Sequence, residues 1–535
     1  MFERISSSRG ALGPIAAFAG GALPATVLSA CAGALLPLLS SAAALPLRAT
    51  CREAAGAVAQ HPWADSETVI HGRLGAWRAC FPRARAANVA KQRGEGSAAP
   101  PPRAAPLLDA DFVHLAGLRA LNMRGCFGVT DAAFAHLRGI HTLDMSWCSL
   151  DAITDAAFAH LRGIHTLNMM KCHQDTITDA AFAHLRGIHS LNLSYCTKLG
   201  ITDAAFAHLR GIHTLAMSEC CQEGITDAAF AHLRGIHTLD MSDCSHVGIT
   251  DAAFVHLRGI FSLDMHGCNQ EGITDAAFAH LRGIHTLNIS FCEQAGITNA
   301  AFEHLCGIHT LSMCGCRQAG ITDAAFAHLR GIHTLDMSGC WQAGITDAAF
   351  AHLHGIHTLR MNSCDQDTIT DAAFAHLRGI YELDMSDCCQ EGITDAAFAH
   401  LRGIHTLNMS RCLQNTITDA AFAHLRGILI LQMSGCKQAS ITDAAFAHLR
   451  GIHTLVMKDC SQAGITDAAF AHLRGIHALY MSGCSEAITG STFCNLAGVT
   501  TLEVSSAALS GVATSLGLAV NFDSTLRVSL VPVQL

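Results

Sequence analysis

A 24-residue unit recurs in register along most of this chain, and that repetition constrains the fold more than any other feature of its 535 residues. From Cys148 a cysteine returns every 24 positions to Cys484, and with Cys126 sixteen cysteines share one register. Length alone would suggest three or four globular domains, but a fixed period in the twenties specifies one elongated array of stacked units. The unit reads, from Gly211 to Arg234, G-I-H-T-L-A-M-S-E-C-C-Q-E-G-I-T-D-A-A-F-A-H-L-R. Leu215 and Met217 alternate with Thr214, Ala216 and Ser218, the two-residue period of a short strand. In the second half Thr226 or Asp227 opens a helix, with the acid at the positive end of its dipole. Ala229, Phe230 and Leu233 share one inward face, Arg234 stands near the helix end and Gly235 stops it. The spacing predicts strand, turn, short helix, turn.

Ile212, Leu215, Met217 and Cys220 form L-x-x-L-x-L-x-x-C, and an I-T-D opens the helix. This resembles the leucine-rich repeat, specifically the cysteine-containing subclass of F-box/leucine-rich-repeat proteins. The resemblance covers the segments ending at Cys126 through Cys484. A degenerate closing unit follows, Ile488 to Val504, in which Glu503-Val504 replaces the usual Asp-Met and the cysteine is lost. It implies an α/β leucine-rich-repeat solenoid: a horseshoe with a parallel inner sheet and outer helices. Sixteen strands about 4.8 Å apart make an inner arc of roughly 75 Å, a surface of protein size.

The helical half is nearly constant, with D-A-A-F-A-H-L-R-G almost verbatim in unit after unit, whereas parts of the strand half vary. The residue between Leu and Met runs Asp144, Asn168, Asn192, Ala216, Asp240 and onward to Arg360, Gln432, Val456 and Tyr480; alternation points it away from the core, onto the concave face. The residue before each cysteine varies as freely, including Trp147, Lys171, Tyr195 and Phe291, and so does the residue after it, including Trp341. Unconstrained drift is one account of this diversity. Against it, equally exposed helix positions have not drifted, so a binding surface is the sharper account. Its mixed charges and scattered aromatics suit a folded protein or peptide.

The cysteine row reads as small buried thiols meeting loop backbone groups, not as a metal or redox site, because no C-x-x-C pair occurs. Regular spacing also argues against a secreted disulfide framework. The 34 histidines fall largely in two rows, one at helix ends (His136, His160, His208) and one before the strands (His141, His165, His213). Both read as partly exposed spacers. With a formal net charge of −9, full protonation would reverse the sign of the molecule, so lowering the pH through about 6.5 is expected to destabilise the array. The mildly acidic balance disfavours nucleic acid as partner. No G-x-S-x-G, H-E-x-x-H or G-x-x-x-x-G-K-[ST] occurs, and no unique catalytic pair stands out, so neither catalysis, a cofactor nor a metal is expected.

Residues 10–47 carry no charge. One reading is a signal or membrane anchor with Arg4 and Arg9 ahead of it, weakened by Pro24, Pro37 and Pro46. The other is a small helical domain. Leu23-Pro24, Val27-Leu28, Leu35-Leu36-Pro37, Leu47, Thr50-Cys51-Arg52 and Pro62-Trp63 resemble a degenerate F-box, although Ala25 and Thr26 stand where acids are common. The resulting organisation is an N-terminal segment 1–20, an F-box-like region 21–72, a flexible basic linker 73–106, the repeat array 107–504 and a tail 505–535 capping the open end.

The resemblance implies the substrate receptor of a Skp–cullin–F-box ubiquitin ligase, cytoplasmic or nuclear, with Leu23, Pro24, Val27, Leu28, Leu36 and Leu47 on the adaptor. Target capture is expected at Trp147, Tyr195, Phe291 and Trp341, and above all where the pattern breaks most: Arg360, Tyr381, Glu382, Leu429, Ile430, Val456 and Tyr480. Leu429 and Ile430 could equally reinforce a local core. The alternatives are a non-catalytic interaction scaffold, or a membrane-anchored or secreted recognition receptor if residues 10–47 direct the chain to a membrane.

Overall fold

A computed structural model describes residues 36, 40–48, 52–71, 73–90, 107–148, 152–220, 222–496, 499–504 and 526–529. The chain divides into two compact units, residues 1–236 and 237–535.

The first unit begins with helices α1 (Ser41–Arg48), α2 (Arg52–Gln60) and α3 (Leu74–Cys80). Asp65 fastens the start of α1, its Oδ2 accepting from the Ser41 amide and hydroxyl at 2.7 Å each. Burial alone would raise this carboxyl, but hydrogen bonds from Ser41 and Thr68 outweigh it and bring the pKa down to about 2. Trp63 is buried edge-on to Phe81, with its indole N–H donating to the Val58 carbonyl at 2.8 Å. Strand β1 (Ala86–Asn88) pairs in parallel with β2 (Ala120–Asn122), with Ala87 opposite Leu121.

This corrects the expected linker over residues 73–90. One of its basic residues is structural: Arg78 donates to the carbonyls of Ala84 and Ala116, while Ala84, Ala86, Ala87 and Val89 are buried. The apolar run supplies a rung ahead of the first repeat, and the guanidinium satisfies the loop carbonyls around it.

The repeats then follow the expected order. In the first unit the strands Ala120–Asn122, Thr142–Asp144, Thr166–Asn168, Ser190–Asn192 and Thr214–Ala216 pair in parallel, Leu opposite Leu. In the second unit the same register runs from Thr238–Asp240 to Thr501–Val504. Leu526–Ser529 pairs antiparallel with Thr501–Val504 and covers that sheet edge. The architecture is the leucine-rich-repeat solenoid. Each repeat buries the same set, seen at Ile321, Ala325, Phe326, Leu329, Ile332, Leu335, Met337 and Cys340, every one at most 2% exposed.

The helices are shorter than the sequence pattern suggests. Asp323–Phe326 is a single turn capped by Thr322, and the chain then tightens so that the Leu329 amide donates to the Phe326 carbonyl. Leu329 therefore reaches the core from a turn. A 24-residue unit that must also build a strand and two reversals has no length for more helix. Gly331 follows at φ +81°, and no atom lies near where a side chain would sit, so glycine is needed there for conformation and not for space.

Hydrogen bonds repeated from unit to unit hold the stack. The Asp323 carboxylate accepts from the Thr346 amide and hydroxyl of the next repeat, both at 2.7 Å, and the Thr346 hydroxyl accepts from Ala348 N as the helix cap. Cys172 donates to the Met145 carbonyl at 3.2 Å and Gln174 to the Cys148 carbonyl at 2.7 Å. Burial pushes the thiols up, to about 12 at Cys196 and Cys436. Cys172, Cys196 and Cys436 are free thiols.

Candidate recognition face

The row between Leu and Met has a structural duty that the sequence pattern hides. Its Asp and Asn side chains turn back on the backbone: Asp144 Oδ1 accepts from Ser146 N at 2.9 Å, Asn192 from Ser194 at 2.8 Å, Asp336 from Ser338 at 3.0 Å and Asp384 from Ser386 at 3.0 Å. Each is an Asx turn that ends a strand. Six positions hold residues without that short acceptor: Ala216 in the first unit, and Ser312, Arg360, Gln432, Val456 and Tyr480 in the second. The last three are consecutive, so three adjacent rungs give up the turn-forming side chain and present amide, aliphatic and phenol groups instead.

In register, Gln432 lies opposite Val456, Val456 opposite Tyr480 and Tyr480 opposite Glu503. Ile430 lies beside Thr454 on the same face, and Leu429 is 39% exposed. Lys458 Nζ sits 2.6 Å from Glu503 Oε1 and 5.7 Å from the Tyr480 ring centroid, and Ser482 donates to the same carboxylate at 3.0 Å. Glu503 is buried, so its charge is held by two partners and fixes the ammonium beside the phenol. Sequence reasoning missed Gln432, Lys458, Ser482 and Glu503 as a group. The signal was present in Glu503, which breaks the Asp-Met pattern of the closing unit.

Arg360 shares the row of Val456 and Glu382 that of Ile430, and the other expected target residues fall in three further rows. Trp147, Tyr195 and Phe291 do not project from a strand: the position before the cysteine is a left-handed turn, with φ of 62°, 62° and 55°. Glycine takes this position at Gly267, Gly315, Gly339, Gly435 and Gly483, and a non-glycine residue there costs on the order of 1 kcal/mol. Trp147 and Tyr195 share one cation, Lys171 Nζ lying 4.1 and 4.5 Å from their ring centroids. The Phe291 ring folds across Gly315, 2.6 Å from where a Cβ would stand. Trp341, 55% exposed, lies under Arg317 and donates to the Ser363 carbonyl at 2.7 Å. Arg360 and Glu382 form a half-exposed ion pair at 3.3 Å. The structure thus joins Ile430, Val456 and Tyr480 on one surface and pairs Arg360 with Glu382.

Tyr381 belongs to the histidine row that precedes the strands, and this row corrects the spacer reading. His237, Phe261, His285, His309, His333, His357, Tyr381 and His405 stack face to face with centroids 4.3–4.6 Å apart. Leu429 interrupts the column before His453. The helix-end row is not a spacer either. Arg138 donates to His160 Nδ1 at 3.4 Å, and Arg162–His184, Arg186–His208, Arg282–His304 and Arg378–His400 repeat the bond at 3.3–3.4 Å. A guanidinium only donates, so these imidazoles must keep Nδ1 unprotonated. Burial, then the Arg258 charge, lowers the His280 pKa; desolvation and neighbouring imidazoles lower His165 and His333.

Of the expected adaptor residues, Leu23, Pro24, Val27 and Leu28 lie outside the described residues. Leu36 is buried, and Leu47 lies in α1. Among the described residues no three His, Cys, Asp or Glu groups converge to hold a metal ion, and no helix is long and apolar enough to cross a membrane.

No family model and no curated protein matches this sequence. Solved structures do. TLR13 in complex with ssRNA13 is 19% identical, covering 72% of this chain and 62% of its own, with a TM-score of 0.51. The glycosylated Toll–Spätzle complex of Drosophila is 16% identical, covering 70% of this chain and 54% of that one, with a TM-score of 0.50. A leucine-rich-repeat protein of Leptospira interrogans is 12% identical over 76% of this chain and 90% of that one, with a TM-score of 0.48. The chain therefore spans 62% and 54% of the first two, and these likenesses show the fold.

Proposed function

We propose that this chain is a non-catalytic recognition protein that captures a protein ligand on the strand face of its second unit, centred on Ile430, Gln432, Val456, Lys458 and Tyr480. The observation that carries this reading is the loss of the Asx-turn residue on three adjacent rungs. A side chain that helped the strand end has been replaced there by groups that do nothing for the turn and face outward. An aliphatic and aromatic centre with a positioned ammonium is the composition of a protein-binding patch. The similarly folded TLR13 and Toll structures are complexes with an RNA and with Spätzle. The net charge of −9 favours the protein kind of ligand here.

The test compares proteins retained by the immobilised chain and by a V456D/Y480A variant of unchanged circular dichroism. At least one retained protein should be lost with the variant; identical retained sets would overturn the reading.

The finer form of this reading is a substrate receptor of a Skp–cullin–F-box ubiquitin ligase, supported by the F-box resemblance of residues 23–63 and working in the cytoplasm or nucleus. Purified adaptor subunit should bind the full chain and not its L23D/V27D variant. A folded chain that leaves the adaptor unbound would reduce the function to recognition alone.

A further inference from the structure

Between Arg258 and Arg426 the arginine–histidine ladder along the helix ends is broken twice, and each of these breaks puts a metal-ligating side chain where the arginine belongs. In the second unit the arginine position reads Arg258, Arg282, Cys306, Arg330, His354, Arg378, Arg402 and Arg426. Arg330 donates to His352 Nδ1 and Arg378 to His400 Nδ1, both at 3.4 Å. At the rung between them, exposed His354 replaces the guanidinium, and its Nε2 lies 3.3 Å from His376 Nδ1, with the two rings 77° apart.

That separation matches a chelate. Two nitrogens bound to one tetrahedral zinc ion, each at about 2.0–2.1 Å, stand about 3.3 Å apart. A guanidinium has no lone pair to offer, whereas an imidazole has one, so replacing arginine by histidine turns a donor–acceptor pair into two potential ligands. The same replacement removes the fixed positive charge that the flanking rungs carry. The stacked histidine column offers no such bite: its rings lie parallel at 4.5 Å with Nδ1 turned to threonine hydroxyls, as at His333 and Thr334.

We propose that His354 and His376 bind one divalent transition-metal ion of the zinc class, with water completing its coordination. The ion bridges two successive repeats and clips them together. Cys306, whose Sγ lies 3.9 Å from His328 Nδ1, is the other break and is a longer, looser pair.

The experiment titrates Zn2+ into the full-length C306R chain by calorimetry at pH 7.5, so that the cysteine break is restored to the ladder residue and only the histidine pair reports. H354R in the same background installs the arginine of the flanking rungs and preserves the fold. The C306R chain should take up one tight equivalent and melt at a higher temperature with Zn2+, and C306R/H354R should lose both effects. Identical titrations for the two proteins, or no tight step in the C306R chain, would overturn the site and leave the pair as a hydrogen bond.

Discussion

The helix side and the strand side of the same repeats obey different rules. On the helix side the recurring polar residues are tied to the next repeat: Asp323 to Thr346, Arg282 to His304. A change there breaks a bond in two repeats at once, and the sequence is nearly constant. In the row between Leu and Met, Asp or Asn closes a turn within its own repeat, and where that turn is absent the residues become Arg360, Gln432, Val456 and Tyr480. Diversity in this chain therefore marks positions where no single bond is repeated from rung to rung. Uniformity along the helices reports stacking, not a lack of use.

The sharpest way to break this comparison is to truncate one core residue and one strand-face residue. F326A empties a fully buried aromatic position and should cost about 3–5 kcal/mol by denaturant unfolding, whereas Y480A should stay within about 0.5 kcal/mol. Similar losses at the two sites would end the distinction.

Acid tests the ladders next. The fold lowers the pKa of His165, His280 and His333, so the folded state favours neutral imidazole and binds fewer protons than the unfolded chain. That stability is complete above the ordinary histidine pKa of 6.5 and declines as pH falls through it. The melting temperature should drop between pH 7.5 and 5.5, and an unchanged value would show that the ladders carry no stability.

At the helix caps, T346V removes a hydroxyl that both caps its helix and meets Asp323, and a loss of about 1–2 kcal/mol is expected. The smallest effect separates the two kinds of strand-face residue: D384A gives up an Asx turn and should cost about 1 kcal/mol, whereas V456A should cost less. Equal costs in thermal unfolding would mean that Val456 has a structural duty of its own.

The histidines show where sequence reading stopped. Two rows were visible, but a period says only that side chains recur, not what they meet. The helix-end row turned out to accept from arginines 22 residues earlier, and the strand-start row to stack. The left-handed turn before each cysteine was equally hidden. Trp147, Lys171 and Tyr195 give no local sign of a positive φ; the glycines at the same position, Gly267 and Gly315, were the available clue.

The sequence by itself determined the repeat, its strand and turn, and its core of Phe, Leu, Ile, Met and Cys, because burial at fixed spacing is a one-dimensional property of a period-24 chain. It determined too which positions vary. Only the tertiary structure decided what that variation is for. Whether Asp384 serves a turn, Val456 a surface or His354 a metal depends on the groups that neighbouring rungs bring within about 3 Å, the reach of a hydrogen bond. Stacking sets those distances, and no single repeat contains them.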